Sequence, residues 1–187
     1  ARRMVFLCGG ITHSSFGGLG IALWAGVNPI AGAMAFAVLS ALGIEWASDR
    51  GKMREDSAIG IMWGVGMAIG ALFMSLTPGY TSGDLASYMF GSIVTVTQTD
   101  VILLGLFTLL CVVGFAVWWR QVMYLAFDRE FASSQGIAVR AVSYLLIVVV
   151  AVTIVLAIRI MGIVLLLSLF TMPAVAANTL TKSYARI

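Results

Sequence analysis

The side chains of this sequence that could bind a cation are few and lie far apart. His13 is the only histidine, and it stands in an apolar stretch next to Thr12 and two serines. A neutral imidazole nitrogen is a ligand for divalent transition metals, whereas the carboxylates of Asp84 and Asp100 suit manganese or iron and tolerate zinc. His13, Asp84 and Asp100 are therefore the residues of this sequence whose side chains suit a cation, with His13 as the candidate metal ligand.

The rest of the sequence argues against a high-affinity metal site. It has no second histidine for an H-x-x-x-H pair and no C-x-x-C, so a zinc cage of three or four ligands is not predicted. A transported ion also has to leave its site as easily as it enters. We therefore expect no permanently bound cofactor.

Each of these residues also has a structural interpretation, which the sequence leaves open. His13 is either part of a path that a cation crosses or a buried histidine bonded to a carbonyl of a neighbouring helix. Asp84 and Asp100 either line an outer mouth or cap the starts of helices. The glycines and hydroxyl side chains around His13 favour the path, because polar, glycine-interrupted backbone within a membrane usually lines a cavity.

Six apolar segments must position these residues. Each has roughly 17 to 23 residues, which is enough to cross a hydrocarbon core of about 30 Å. The chain is 61% hydrophobic and only 10% charged, where soluble domains have about 25% charged residues. We therefore predict an all-α, polytopic transmembrane helical bundle forming one membrane domain over residues 1–187. The predicted spans are residues 4–26, 29–47, 58–76, 101–118, 141–158 and 160–178.

The basic residues give this pattern an orientation. When the spans alternate across the membrane, ten of the eleven Lys and Arg residues fall on one side, and Arg159 is the exception. The positive-inside rule makes that side cytoplasmic and predicts a multi-pass protein of the inner (cytoplasmic) membrane. Segment 77–100 is then external, and segment 119–140 is cytoplasmic. The net charge of +3 reflects inner loops that face anionic lipid, and it does not indicate a nucleic-acid partner.

The cytoplasmic segment 119–140 contains a short amphipathic helix. Phe127, Phe131 and Ala132 share one face, and Gly136 is a typical C-terminal stop. The helix either lies on the membrane surface or serves as a knob on which a soluble subunit docks.

This segment, from Phe127 and Asp128 through Glu130 and Phe131 to Gly136, resembles the coupling-loop motif of ABC-importer permeases, D-x-E-x-A-x-x-x-G in outline. Three other segments resemble motifs of the metal-ion ABC permease family in the same order. Residues 3–13 resemble R-M-x-F-L-G-D-A-[LI]-[ST]-H, residues 84–96 resemble D-L-x-S-Y-L-F-G-x-I-L-T-V, and residues 161–177 resemble V-G-x-L-L-V followed by P-A-A-x-A.

The resemblance implies an ABC-importer permease for zinc, manganese or iron that acts as a homodimer, with the ion passing at the dimer interface. It also implies an ATP-binding subunit that grips the 127–137 helix and an extracytoplasmic metal-binding protein that docks on the 80–100 face. The chain has no phosphate-binding G-x-x-x-x-G-K-[ST] loop, so we expect no enzyme activity of its own and ATP hydrolysis in a separate subunit.

The sequence departs from the family in two respects. Gly9 stands where the family often has Asp, four residues before the histidine, and the chain is short for the family, which suggests a fragment. Two other functions stay open: a permease for metal chelates such as siderophores or corrinoids, and a membrane scaffold subunit that transports nothing. An intramembrane enzyme is the weakest alternative, because the sequence has neither G-x-S-x-G nor H-E-x-x-H.

Overall fold

The computed structural model describes residues 2–49, 53–79, 90–91 and 96–180, and the regular structure in these ranges is helical. This confirms the predicted all-α fold. The helices are α1 (Arg2–Trp24), α2 (Pro29–Asp49), α3 (Glu55–Leu76), α4 (Gln98–Phe127), α5 (Arg129–Ser134) and α6 (Val139–Leu180). All except α5 are long and apolar enough to cross a membrane, judged by length and composition.

Helix α6 contains both of the last two predicted spans, 141–158 and 160–178. It has 42 residues, and a straight helix of that length would measure roughly 60 Å, about twice the thickness of a hydrocarbon core. The helix is broken at Gly162, whose φ of 74° and ψ of 168° are not helical. Glycine adopts such angles readily because it has no Cβ. The break at Gly162 lies three positions after Arg159, the residue between the predicted spans 141–158 and 160–178.

Helix α4 is longer than the span predicted at 101–118. It begins at Gln98 and continues to Phe127, with non-helical angles at Trp118 (φ −102°, ψ 16°). Residues 119–127 contain neither glycine nor proline, so nothing in their sequence stops a helix. Much of the predicted inner segment 119–140 is therefore a continuation of α4.

Helix α1 is the centre of the bundle and packs against α2, α3 and α6. Its contact with α3 is made at small residues, where the backbones approach closely. A Cβ added at Gly66 would lie 2.5 Å from Ser14 Cα, and one added at Gly20 would lie 2.6 Å from the Gly70 carbonyl oxygen. Around this contact lies an apolar core of fully buried isoleucines: Ile11, Ile44, Ile59, Ile154 and Ile158.

Helix α3 contains four glycines at helical spacing, and their surroundings differ. Gly66 and Gly70 are buried against α1, whereas an added Cβ at Gly60 or Gly64 would meet nothing within 4 Å. One small-residue face therefore holds the subunit together, and the other faces outward.

We expect Gly66→Ala to lower the thermal stability of the purified protein and Gly64→Ala to leave it unchanged or slightly higher. The added methyl group at position 66 collides with the α1 backbone, and overpacking of this kind costs about 1–3 kcal/mol. At position 64 the methyl group has open space, and alanine is the better helix former. Thermal unfolding in detergent checks this, and equal melting temperatures for the two variants would contradict the packing described here.

Two ion pairs connect the helix ends. Arg140 Nε, at the start of α6, lies 3.0 Å from Asp49 Oδ2 at the end of α2. Arg159 Nη1 lies 2.8 Å from Asp100 Oδ1 near the start of α4. The end of α2 is therefore close to the start of α6, and the start of α4 is close to the break in α6. The assignment of these ends to cytoplasmic and external sides stays a prediction.

Candidate functional site

His13 lies on the side of α1 that faces α3, and its side chain is half-buried. Its imidazole stacks on the indole of Trp63, with ring centroids 4.3 Å apart and ring planes inclined by only 6°. The part of the chain that the structure describes provides no hydrogen bond or ion pair to this imidazole. The alternative interpretation, a buried histidine bonded to a carbonyl of a neighbouring helix, therefore has no support in the described residues.

The polar residues next to His13 have a different role from the one expected. Thr12, Ser14 and Ser15 are at most 1% exposed. Their hydroxyls donate to carbonyl oxygens of α1 itself: Thr12 to Cys8 O at 2.7 Å, Ser14 to Ile11 O at 3.0 Å and Ser15 to Thr12 O at 2.6 Å. The expectation that these hydroxyls line a cavity is therefore wrong. Such back-bonding satisfies a hydroxyl inside a packed bundle without water.

Gly9 lies one helical turn before His13 and borders the same stacked pair. A Cβ added there would lie 3.8 Å from both Trp63 Cζ3 and Leu167 Cδ2, which is ordinary contact distance. No group of three His, Cys, Asp or Glu side chains that could hold a metal occurs among the described residues. A metal ion bound by His13 would need further ligands beyond those that the described residues provide.

Asp100 has no free oxygen to offer a cation. Its side chain is 7% exposed, and Oδ2 accepts from the Thr97 backbone N–H (3.0 Å) and the Thr97 hydroxyl (2.7 Å). Oδ1 contacts Arg159 at 2.8 Å. Thr97 is the N-cap of α4, and Asp100 completes the reciprocal capping box. This geometry favours the structural interpretation of Asp100, whereas Asp84, the other predicted mouth residue, lies outside the described residues.

We expect Asp100→Asn to lower the melting temperature by a few degrees and to leave uptake per folded molecule unchanged. The amide loses the charge that pairs with Arg159 and weakens the cap of α4. The double variant Asp100→Asn with Arg159→Gln should lower the melting temperature by less than the sum of the two single variants, because both remove the same ion pair. A loss of uptake in Asp100→Asn at wild-type stability would instead support a place in the path.

The predicted docking helix is present as α5 and is capped at both ends. At its start, Asp128 Oδ1 accepts from the backbone N–H groups of Glu130 (2.8 Å) and Phe131 (3.2 Å). At its end, Ile137 N–H bonds to Ala132 O and Gly136 N–H to Ser133 O. These two bonds form a Schellman motif, which needs the positive φ of 77° that Gly136 adopts.

The two faces of α5 differ in exposure. Ala132 is fully buried, whereas Phe131 is 48% exposed and meets the ring of Tyr124 edge-on, with centroids 5.5 Å apart. Asp128 and Glu130 are exposed, and Phe127 ends α4 just before the cap. A partially exposed aromatic ring beside an exposed carboxylate suits contact with another protein.

A cleft of about 550 Å³ lies between α4, the segment that follows α5, and the start of α6. Trp118, Gln121, Gly136, Ile137 and Leu145 are among the residues that line it. The side-chain oxygen of Gln121 is buried and has no hydrogen-bond partner among the described residues. No residue of α5 itself lines this cleft, whereas Gly136, Ile137 and Ala138, in the segment between α5 and α6, form part of its wall.

Two aromatic residues at these sites are not identified by the sequence analysis. Trp63 precedes Gly66 and Gly70 by three and seven positions, a helical spacing that puts it on the α3 face packed against α1. Tyr124 falls beyond the predicted end of the fourth span. The spacing of Trp63 to the two glycines can be read from the sequence, whereas the position of Tyr124 on a helix follows only once α4 is known to continue to Phe127.

Comparison with known proteins shows one consistent similarity. The model of the ABC 3 transport family matches residues 1–187. A probable metal transport system membrane protein of Chlamydia muridarum is 35% identical over 92% of this chain and 60% of its own length. The manganese transport system membrane protein MntC of Halalkalibacterium halodurans is 32% identical over 97% of this chain and 62% of its own.

A solved structure shows the same fold. PsaBC from Streptococcus pneumoniae, determined in complex with Fab, superposes with a TM-score of 0.74 at 25% sequence identity. The match covers 96% of this chain and 64% of the PsaBC chain. The chain therefore spans less than two thirds of the length of these relatives.

Proposed function

Because this chain belongs to the ABC 3 transport family, we propose that it is the membrane-spanning permease part of an ABC importer for a divalent metal cation. The single observation that carries this proposal beyond family membership is His13. An imidazole without a hydrogen-bond partner in the described structure, inside a membrane helix, is an available ligand for a transition metal. The importer would lie in the cytoplasmic membrane, surrounded by lipid.

The transported metal is zinc, manganese or iron. Relatives of this chain carry names that refer to metal or manganese transport. Imidazole binds all three metals, whereas a carboxylate would favour manganese and iron. Gly9 provides no carboxylate beside His13, so any preference among the three metals would come from ligands other than these two residues.

Three protein partners follow from this function. An ATP-binding subunit would grip α5 from the cytoplasm through Phe131 and Glu130, and all ATP hydrolysis would occur there. An extracytoplasmic metal-binding protein would dock on the 80–100 face, where Asp84 stands. A second copy of the permease would complete a homodimer and add its own ligands to the path.

In the proposed coupling mechanism, closure of the ATP-binding subunits would push α5. The cleft beside Gly136, Ile137 and Ala138 would then give the segment that follows α5 room to move. The short connection through Gly136 and Ile137 leads directly into α6, which packs against α1 and α2. Movement of α6 against α1 would alternately open the side of His13 to the outside and to the inside.

The test is cellular metal content by mass spectrometry, with the intact transporter gene present, deleted and restored under metal limitation. A fall in one metal on deletion that restoration reverses would establish import and identify the substrate. If no metal changes, free-ion import is wrong, and supplying chelated metal then tests the chelate permease.

A further inference from the structure

The flat contact between His13 and Trp63 has a consequence for how a metal would be bound. We propose that Trp63 is a positioning residue that sets the plane of the His13 imidazole for the transported ion. This inference rests on the proposed function, because it requires His13 to be a ligand. Trp63 itself touches no metal in this proposal and acts only through the histidine.

The imidazole needs such a constraint. Rotation of a histidine ring about its outer torsion is only weakly restricted, since that torsion has broad minima. In most metal sites a hydrogen bond to the second ring nitrogen fixes the orientation. Here the described residues provide no such bond, and the hydroxyls of Ser14 and Ser15 already donate to carbonyls of α1. The stacked indole is the contact that holds the ring plane.

Trp63 is itself held firmly enough to serve this purpose. It lies on the same face of α3 as Gly66 and Gly70, whose close contact with α1 fixes the distance between the two helices. Phe6 packs beside the indole, with centroids 6.4 Å apart and planes inclined by 45°. Gly9 leaves room for the indole beside α1. A Cβ added at Gly9 would lie 3.8 Å from Trp63 Cζ3, which is ordinary contact distance.

The geometry restricts where an ion can bind. A metal bonds to an imidazole nitrogen through the lone pair, which lies in the plane of the ring. The indole, 4.3 Å away and nearly parallel, stacks on one face of the ring and therefore does not itself block the edge that carries the nitrogens. Fixing the plane therefore fixes the direction in which His13 presents its lone pair.

The first experiment compares uptake kinetics of the intact transporter for Zn²⁺ and Mn²⁺ in three variants. Trp63→Leu should raise the apparent KM by about tenfold, the effect typical of losing an orienting partner of a metal ligand. The maximal rate per folded transporter should change little. Trp63→Phe should restore most of the affinity, because a phenyl ring still stacks. Phe73→Leu is the matched control, since it removes another aromatic contact between α1 and α3, that with Trp24.

The second experiment needs no transport and uses Co²⁺ as the probe ion on the solubilised transporter. Co²⁺ should quench the fluorescence of Trp63, identified as the component missing in Trp63→Phe. His13→Ala should abolish this quenching, and Phe73→Leu should retain it. Absence of quenching in the wild-type protein would overturn the proposal, because an ion bound to His13 lies within a few ångströms of the indole.

The outcomes separate this inference from the proposed function. If His13→Ala abolishes uptake but Trp63→Leu behaves like Phe73→Leu, the positioning role is wrong and the permease function stands. The positioning role is also wrong if Trp63→Phe fails to restore affinity. If His13→Ala leaves uptake unchanged, the role of His13 fails and the role of Trp63 fails with it.

Discussion

His13→Ala is expected to reduce metal uptake to background while the protein still folds. The side chain is half-buried and makes no hydrogen bond among the described residues, so its removal costs the fold its buried area and the stacking contact with Trp63, but no hydrogen bond. That contact contributes about 0.5–1.5 kcal/mol beyond the buried area. Transport should suffer far more, since even an orienting partner of a metal ligand contributes 10- to 100-fold, roughly, to affinity.

The measurement is uptake of radioactive or mass-labelled metal by cells, normalised to the amount of folded transporter. Ser14→Ala is the matched control, because it removes a polar group one position away whose hydroxyl bonds only to its own helix. A scaffold protein that transports nothing would show the reverse pattern, with stability changed and no flux to lose. Unchanged uptake in His13→Ala at wild-type stability would remove His13 from the path.

Gly136→Val is expected to uncouple ATP hydrolysis from uptake. Gly136 has a φ of 77°, and a left-handed conformation costs a residue with a Cβ about 1–2 kcal/mol, with β-branched residues penalised most. The Schellman turn would open and α5 would lose its fixed angle to α6. Uptake should fall at least about tenfold, the effect of losing a major interface anchor, while ATPase activity continues.

Asparagine at position 136 separates the effect of backbone conformation from the effect of adding a side chain. Asparagine tolerates positive φ, so Gly136→Asn should retain much of the uptake that Gly136→Val loses. Glu130→Ala removes an exposed carboxylate without affecting the backbone and should also lower uptake. Ser134→Ala is the control on the same helix, since its hydroxyl bonds only to Phe131 O. If Glu130→Ala and Gly136→Val both leave uptake intact, the docking role of α5 is wrong.

The two predictions probe opposite ends of one proposed mechanism. His13 is the contact with the ion, and α5 is the contact with the energy source. Between them lie α6 and its packing against α1. An importer requires both, so a variant at either end should stop uptake, but only the variant at α5 should leave metal binding to the solubilised transporter unchanged.

The sequence by itself determined the fold class and the elements that matter for function. Long apolar runs can only be helices in a membrane, because every backbone polar group has to be satisfied within the segment. The stop at Gly136 likewise predicted the end of α5, since helix caps depend on local chemistry. The cap that Asp128 provides at its start was found only in the structure. The lone histidine was visible as the one imidazole in an apolar stretch.

Only the tertiary structure decided which polar groups are occupied and which remain available. Thr12 and Ser14 looked like the lining of a path, yet they bond to their own helix. Asp100 looked like a mouth residue, yet Thr97 and Arg159 engage both of its oxygens. The hydrogen bonds of Thr12, Ser14 and Thr97 are local, but whether such a residue is packed against other helices or faces a cavity depends on residues far apart in the chain. The same holds for the ion pair between Asp100 and Arg159. Trp63 lies fifty positions from His13, and only the packing of α3 on α1 brings their rings together.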